Sequence, residues 1–457
     1  MKAKVIKYVV DKNLCIGCGM CASVIKNKFL EMDWNEQGFL VATQKQGVLF
    51  GEEEDDAALA VCPFNPFPAN EVKTEDEIAN LFLSDASQYD KYLGRFTNTY
   101  AGFSYKYRST SSSGGIATYL FEKLLENDIV DNIVVVRESG TDRHFEYQCF
   151  KNIDEIKSIS KTRYYPVTLN TALNEIEKIE GRIAVVGVGC FIKALRLSQY
   201  HMEDFNDKIK FLIGIICGGV KSSFFAEYLA SKAGIGSTEG FIKPEFRIKN
   251  EDSVALDYSF GCINKVSREE HSVRMRTVGD MWGTGLFKSN ACDLCEDVTT
   301  ELADISLGDA WISPYSQEGK GTNIIVTRSA LGEKLIQQGI ASGELSLDLI
   351  DKSRVVQSQK SSFTHRQDAL KYRLNVLKSQ IEHLPPKRSR VMKNIPIYFR
   401  YVQRARMSVR EQSLLLWRKY PDAVTFDKAL AKYLRPLKQR TKFYHLLRNL
   451  KRRFKLK

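Results

Sequence analysis

Four cysteines near the start of the chain limit what this sequence can build more than anything else in it. Cys15, Cys18 and Cys21 are separated by two residues each, and Cys62 follows at a distance and is succeeded by Pro63. This is the ligand arrangement of a [4Fe–4S] cluster, in which one loop binds three irons and a remote cysteine binds the fourth. A four-cysteine zinc site is the alternative, but soft thiolates at strict two-residue gaps favour iron and sulfide.

A second set of four cysteines forms a weaker pattern. Cys190 and Cys217 each follow a predicted strand, and strands of an α/β sheet end at a common edge where sites are built. Cys292 and Cys295 form a further C-x2-C pair in a predicted loop. Together the four can close a second tetrahedral site, whereas the alternatives are small buried residues for the first two and structural zinc for the pair. Ordinary core or surface thiols are predicted at Cys149 and Cys262.

A serine- and glycine-rich segment, Ser111–Gly115, precedes a predicted helix. Backbone N–H groups at a glycine turn, together with the positive end of a helix, suit a phosphate or pyrophosphate. Such segments are more often plain loops and helix caps, so the pattern alone leaves both interpretations open.

The first cysteine motif and the order of the predicted elements indicate an α+β ferredoxin-like N-terminal domain, then a mixed α/β domain, then a helical C-terminal tail. We place these at residues 1–70, 95–345 and 364–457. The first domain is predicted to open with a strand-like segment near Val5 and to contain a hairpin over 31–42 and a helix over 52–61. Further helices are predicted at 116–126, 170–180, 191–199, 224–233 and 331–342, and strands at 132–137, 145–150, 182–188, 210–216 and 322–328.

The net charge of +12 is concentrated in the tail. Residues 387–457 hold 22 Lys and Arg against 3 Asp and Glu, a balance of +19, so the remainder carries −7. We expect a solvated, partly ordered helical appendage, with attraction to an anionic membrane surface or an acidic partner as the sharper alternative, while nucleic acid is not favoured as a partner. No secretion signal or long apolar run is seen, which favours a cytoplasmic protein, peripheral at the inner membrane at most.

These elements, in this order, resemble the coenzyme F420 hydrogenase/dehydrogenase beta-subunit family over roughly residues 10–330. The first cysteine motif, the segment Ser112–Thr118 and the pattern around Cys190 carry the resemblance. The other matching pieces are Ser160–Tyr165, Cys217–Gly219, Cys292–Cys295, Ala303–Trp311 and Lys320–Thr322. Bacterial stand-alone relatives with an N-terminal [4Fe–4S] domain occur in surface-polysaccharide settings, and the basic tail fits that branch.

The resemblance implies FAD and a second [4Fe–4S] cluster. It makes Cys190, Cys217, Cys292 and Cys295 the expected ligands of that cluster. The implied flavin contacts are Ser112, Ser113, Gly114, Gly115, Thr118 and Lys161. The implied activity is an oxidoreductase that passes electrons from a hydride donor, a reduced deazaflavin or nicotinamide, to one-electron acceptors or a redox partner protein. The alternative is an accessory iron–sulfur protein of surface-polysaccharide synthesis. Asp304 and Asp309 match family positions and have either a structural or a functional role.

Overall fold

The computed structural model describes residues 1–157 and 161–455, and eight of the strands in this part form one sheet. The strands are β1 Leu30–Trp34, β2 Leu40–Gln44, β3 Gln88–Asp90, β4 Gly94–Phe96, β5 Thr99–Ser104, β6 Asn132–Glu138, β7 Phe145–Phe150, β8 Ile183–Val188, β9 Ile209–Ile215, β10 Phe241–Lys249, β11 Tyr258–Asn264, β12 Glu270–Arg274, β13 Ile305–Asp309, β14 Asn323–Thr327 and β15 Leu345–Leu349.

Helices cover the sheet and build most of the C-terminal region. The α-helices are α1 Met20–Ser23, α2 Glu52–Ala60, α3 Glu75–Phe82, α4 Ile116–Glu126, α5 Ile153–Lys157, α6 Asn170–Leu173, α7 Gly189–His201, α8 Glu203–Lys208, α9 Phe224–Lys232, α10 Met275–Val278, α11 Ala330–Ala341, α12 Lys352–Ser358, α13 Lys360–Phe363, α14 Leu370–Leu377, α15 Ile397–Lys419 and α16 Ala423–Lys455. Short 3-10 or π turns lie at Ile6–Val10, Asn70–Val72, Ile176–Lys178, Asn290–Asp293, Tyr315–Gln317, Thr364–Asp368 and Ser389–Val391.

The large sheet has the strand order β15-β5-β14-β13-β9-β8-β6-β7. Its central neighbours β13, β9, β8 and β6 run parallel, and the strands on both sides of them are antiparallel. Because parallel strands are covered on both faces, their sequences consist of consecutive apolar residues. Ile183–Val185 is an example and is fully buried. The predicted mixed α/β domain and helical C-terminal region are thereby confirmed. The three strands β10, β11 and β12 form a separate antiparallel sheet.

The N-terminal residues contain the predicted hairpin. β1 and β2 pair antiparallel around a turn in which the Asn35 side chain accepts hydrogen bonds from the N–H groups of Gln37 and Phe39. Gly38 supplies the left-handed conformation that the turn needs, with a φ of +69°. This region shares one hydrophobic core with the strands and helices that surround Cys190. Its likeness to ferredoxins, and the domain boundaries, stay predictions.

Two local predictions were wrong. The segment near Val5 is not a strand, because Val5, Ile6 and Val9 are buried at helical spacing and form a helical turn, Ile6–Val10. The helix predicted at 170–180 is reduced to α6 and a 3-10 turn, since Glu175 between them has a φ of −141°, which is outside the helical range.

The prediction of a solvated tail is also wrong for most of the segment. α15 begins directly after Pro396 and buries Phe399, Val402 and Trp417 against the body of the protein. α16 returns along α15 and buries Phe426 beside Trp417, with the ring centroids 5.3 Å apart. The basic side chains gave the tail the composition of a solvated helix, while its apolar residues form an inner face. Residues 456 and 457 lie outside the described part.

Candidate active site

A cavity of about 670 Å³ opens at the carboxyl ends of the parallel strands. Val136 of β6, Val188 of β8, Cys217 after β9 and Asp309 of β13 all line it. Parallel strands present their carboxyl ends on one edge, and ligand sites in open α/β sheets form there. The volume lies within the range of pockets that bind drug-sized ligands or cofactors.

The serine–glycine segment forms one end of this cavity. Ser112, Ser113 and Gly115 line it, and Gly115 adopts a φ of +81° at the start of α4. Gly114 and Thr118, the other two predicted contacts in this segment, do not line it. A side chain at Gly114 would place its Cβ 2.6 Å from the carbonyl oxygen of Gly102, and Thr118 is fully buried in α4.

Lys161 lines the same end of the cavity and its Nζ lies 2.8 Å from a carboxylate oxygen of Glu245. The backbone N–H of Thr162 donates to the Ser112 hydroxyl at 2.9 Å, which joins the two predicted flavin-contact segments. Ser160, quoted in the family resemblance, lies outside the described residues.

The structure brings Cys15, Cys18, Cys21 and Cys62, the first cysteine group, around one small cavity. Gly17 and Gly19 take positive φ values of +76° and +80°, which allow the loop to turn around this point. Burial raises the pKa of all four thiols, that of Cys18 to about 12. Backbone N–H groups oppose that rise; those of Ala42 and Gly17 point at Cys15, and that of Phe64 points at Cys62.

The structure also gathers Cys190, Cys217, Cys292 and Cys295, the second cysteine group. Burial raises the pKa of Cys190 well above its usual value, and the nearby Cys295, Cys217 and Cys292 thiols raise it further. Cys190 and Cys217 come together because they follow neighbouring parallel strands, as predicted. Cys190 lies in the first turn of α7, after β8, and Cys217 follows β9, which is the parallel neighbour of β8. Cys217 and Cys292 line the large cavity.

Hydrogen-bond donors surround the sulfurs of the second cysteine group. The N–H of Gly219 lies 3.2 Å from Cys217 Sγ, and the N–H of Val220 lies 3.3 Å from Cys292 Sγ. Arg366 Nη2 donates to Cys295 Sγ at 2.6 Å, and Arg366 also donates to the backbone carbonyls of Cys217 and Asp297. Donors aimed at sulfur stabilise the thiolate over the thiol.

The two cysteine groups are neighbours. Cys18 of the first group contributes to the raised pKa of Cys190 in the second. Burial raises the pKa of Tyr147, and both Cys190 and Cys18 add to that effect. The Tyr147 hydroxyl donates to the carbonyl of Val186 at 2.9 Å, so this side chain lines the cavity next to both groups.

The structure also indicates the roles of two further cysteines and two aspartates, Cys149, Cys262, Asp304 and Asp309. Cys149 is exposed and Cys262 is buried in a core of aromatic residues, so both are ordinary thiols as predicted. Asp304 has a structural role, since its carboxylate accepts from the N–H of Leu212 at 2.8 Å and from Arg196 at 3.0 Å. Asp309 instead lines the cavity and forms an ion pair with Arg247.

Arg366 was missed by sequence reasoning. It belongs to the basic tail, where one arginine among many gives no signal of burial next to a cysteine. In the described part of the chain, no three His, Cys, Asp or Glu side chains are arranged to hold a metal ion. The role of both cysteine groups as cluster ligands is therefore a proposal.

Comparison with known proteins decides the family. Two adjoining models described as "Coenzyme F420 hydrogenase/dehydrogenase, beta subunit" match the chain, the N-terminal one over residues 99–174 and the C-terminal one over residues 180–353. The chain belongs to the coenzyme F420 hydrogenase/dehydrogenase beta-subunit family. The family resemblance predicted from the motifs is thereby confirmed, and the protein has a role in oxidation–reduction chemistry.

Individual members of the family are distant in sequence. One of the subunits of the F(420)H(2) dehydrogenase of Methanosarcina mazei is 24% identical over 72% of this chain and 83% of its own length. The coenzyme F420-dependent sulfite reductase of Methanocaldococcus jannaschii is also 24% identical, over 76% of this chain, and the match spans half of that protein. The F420-reducing [NiFe] hydrogenase complex from Methanosarcina barkeri contains a chain of 21% identity and a TM-score of 0.48, matched over 61% of this chain and 93% of that one.

The C-terminal part of the chain extends beyond the region that the family shares. The family match ends at residue 353, so the segment 354–457 that packs on the cavity lies beyond it. Within the described residues, no helix is both long enough and apolar enough to cross a membrane.

His365 also lies in the segment 354–457, and we expect it to make the free energy of unfolding fall at acid pH. Burial lowers its pKa well below the usual value, and Arg406, Arg373, Lys288 and His445 lower it further. The unfolded chain therefore binds a proton near pH 6.5 that the folded chain does not, so stability falls as the pH drops below that value. The expected slope is up to about 1.4 kcal/mol per pH unit.

We expect His365→Gln to flatten the pH dependence of the urea midpoint between about pH 6.5 and 5. His383→Gln is the matched control, because His383 is partly exposed and its substitution should leave the pH dependence as in the parent chain. Identical acid profiles for the parent and the His365 variant would show that other groups cause the loss.

Proposed function

We propose that the protein is an iron–sulfur flavoprotein oxidoreductase that passes electrons between a hydride donor and one-electron acceptors. The donor is a reduced deazaflavin or nicotinamide. One observation carries the proposal: a single cavity extends from the serine–glycine segment at Ser112–Gly115 to Cys217 and Cys292 of the second cysteine group. A flavin bound in that cavity would supply two-electron hydride chemistry, and clusters held by the cysteines beside it would supply one-electron transfer.

The residues of the cavity fit a flavin. Tyr164 and Trp282 contact each other in its wall, with ring centroids 4.8 Å apart, and Tyr258 and Trp311 line it as well. An apolar, aromatic wall with a few convergent polar groups is typical of cofactor sites. The start of α4 after Gly115, together with Lys161, provides the positive end for the flavin phosphates. Thr162 orients the Ser112 hydroxyl at this end.

The residues of both cysteine groups fit [4Fe–4S] clusters. Burial raises the pKa of Cys190, Cys217 and Cys292, so these thiols would remain protonated without a positive centre, whereas iron binds cysteines as thiolates. The backbone N–H groups aimed at Cys15, Cys62, Cys217 and Cys292 stabilise such thiolates. We assign the first group as the outer electron port and the second group as the cluster next to the flavin.

A protein partner is also part of the proposal. The relatives include a subunit of a dehydrogenase and a subunit of a hydrogenase, which supports a redox partner protein for this chain. The nature of that partner follows from the chemistry, since single electrons leaving the outer cluster need a one-electron acceptor.

Anaerobic purification followed by iron, sulfide and flavin assays on one sample tests the proposal. About eight irons and one flavin per chain would support the two-cluster flavoprotein. The reductant then follows from anaerobic titration of the flavin absorbance with reduced deazaflavin and with reduced nicotinamide. About four irons without flavin would overturn the flavin mechanism and favour the accessory iron–sulfur protein.

A further inference from the structure

The segment beyond the family match completes the cavity. His365, Arg366 and Arg373 line it from the region of α13 and α14, and Gln403, Arg406 and Met407 line it from α15. The residues matched to the family end at 353, so this wall is an addition carried by the chain's own C-terminal region. It lies beside the second cysteine group, because Arg366 donates to the Cys217 carbonyl and to Cys295 Sγ.

This end of the cavity has an excess of positive charge. Its cationic lining residues are Lys221, Lys288, Arg366, Arg373 and Arg406. Its carboxylates are Asp280 and Asp293, and Asp293 is already paired with Lys288 at 2.7 Å and with Arg410 at 2.8 Å. His365 is kept neutral by burial and by these cations. Cations confined together at low dielectric repel one another, which an anion would relieve.

Most of these cations are occupied by the protein itself. Arg366 donates to Cys295 Sγ and to two backbone carbonyls. Arg373 donates to the carbonyls of Asp293, His365 and Arg366 and to the side chain of Gln403. Lys221 donates to the carbonyls of Met281 and Leu286. These bonds hold the wall in place.

Arg406 differs from the other cations of the wall. Within the described residues its guanidinium makes no hydrogen bond and no ion pair closer than 4 Å, although Asp293 and Asp280 act on it at longer range. It is half-buried, lines the cavity, and contributes to the lowered pKa values of His365, Lys221 and Lys288. A guanidinium offers a planar fork of donors that matches a carboxylate or phosphate.

We infer that Arg406, presented by the C-terminal segment, binds an oxyanion group, a carboxylate or a phosphate, of the small-molecule redox partner. This inference rests on the proposed function and deepens it by naming a residue that would bind the small-molecule partner. Arg366 has a different role, since it contacts Cys295 and offsets the charge of the second cysteine group. The extra segment thus supplies both the closing wall of the site and this binding residue.

Calorimetric titration of the anaerobically purified full chain with inorganic phosphate, and separately with acetate, at constant ionic strength tests the inference. We expect saturable binding of one anion per chain. Arg406→Gln should weaken that binding about tenfold or more, and Arg406→Lys should restore part of it. Arg404→Gln is the matched control, because Arg404 is exposed on the same helix and its loss removes the same charge. Whichever anion binds more tightly assigns the group as phosphate or carboxylate.

The inference would be overturned if the parent chain showed no saturable anion binding, or if the parent and Arg406→Gln bound the anion equally. Loss of iron rather than of anion binding in Arg406→Gln would also overturn it, since Arg406 would then balance the charge of the cysteine group. Iron and flavin are assayed on each sample, so a chain that lacks both but binds the anion through Arg406 would contradict only the proposed function.

Discussion

Replacement of Cys295 by alanine is expected to lower the iron content of the anaerobically purified protein from about eight to about four atoms per chain. Cys295 is one of four thiols that the fold gathers beside the cavity, and Arg366 donates to its sulfur at 2.6 Å. A cluster that loses one of its four thiolates has an open corner next to a cavity that solvent can enter. The measurement is iron and sulfide per chain, with the visible absorbance of the remaining cluster.

Two further variants make this prediction specific. Cys149→Ala should retain all of the iron, because Cys149 is exposed and lies outside both groups. Cys18→Ala should remove the other half of the iron and leave the second cluster in place. If Cys295→Ala kept the full iron content of the parent chain, the assignment of the second cysteine group as cluster ligands would be wrong.

The sequence predicted the parts of the site that depend on local patterns. The apolar runs before Cys190 and Cys217 identified two strands, and β8 and β9 are parallel neighbours that end at one edge. The C-x2-C spacings singled out five of the eight cysteines that come together. These features are set by residues close in sequence, where periodicity and spacing carry the information.

The contribution of the tail could not be predicted in the same way. Arg366 and Arg406 lie in a region whose charge balance is typical of a solvated helix, and nothing in their neighbours marks them as cavity residues. Their burial depends on packing against β-strand ends far earlier in the chain. Gly114 and Thr118 show the converse: they belong to the correct motif but pack into the fold instead of lining the cavity.

Arg388 shows how firmly the C-terminal region is bound to the body, and we expect Arg388→Met to destabilise the protein by about 3–5 kcal/mol. Arg388 is fully buried and its guanidinium lies 2.6 Å from Glu301, 3.5 Å from Glu296 and 3.8 Å from Glu75. Burial raises the pKa of Glu296, and Arg388 opposes that rise. Without the arginine, buried carboxylates lose their compensating charge, and this costs far more than the loss of an exposed ion pair.

The urea midpoint and slope of unfolding measure this effect, with Arg418→Met as the matched control. Arg418 pairs with Glu36 at 2.7 Å, but 43% and 79% of the two side chains are exposed. Solvent screens that pair, so we expect a change of at most about 1 kcal/mol. Adding Glu301→Gln to Arg388→Met should recover part of the loss by removing one uncompensated charge. Equal midpoints for the two single variants would show that the buried network does not fix the C-terminal segment against the cavity.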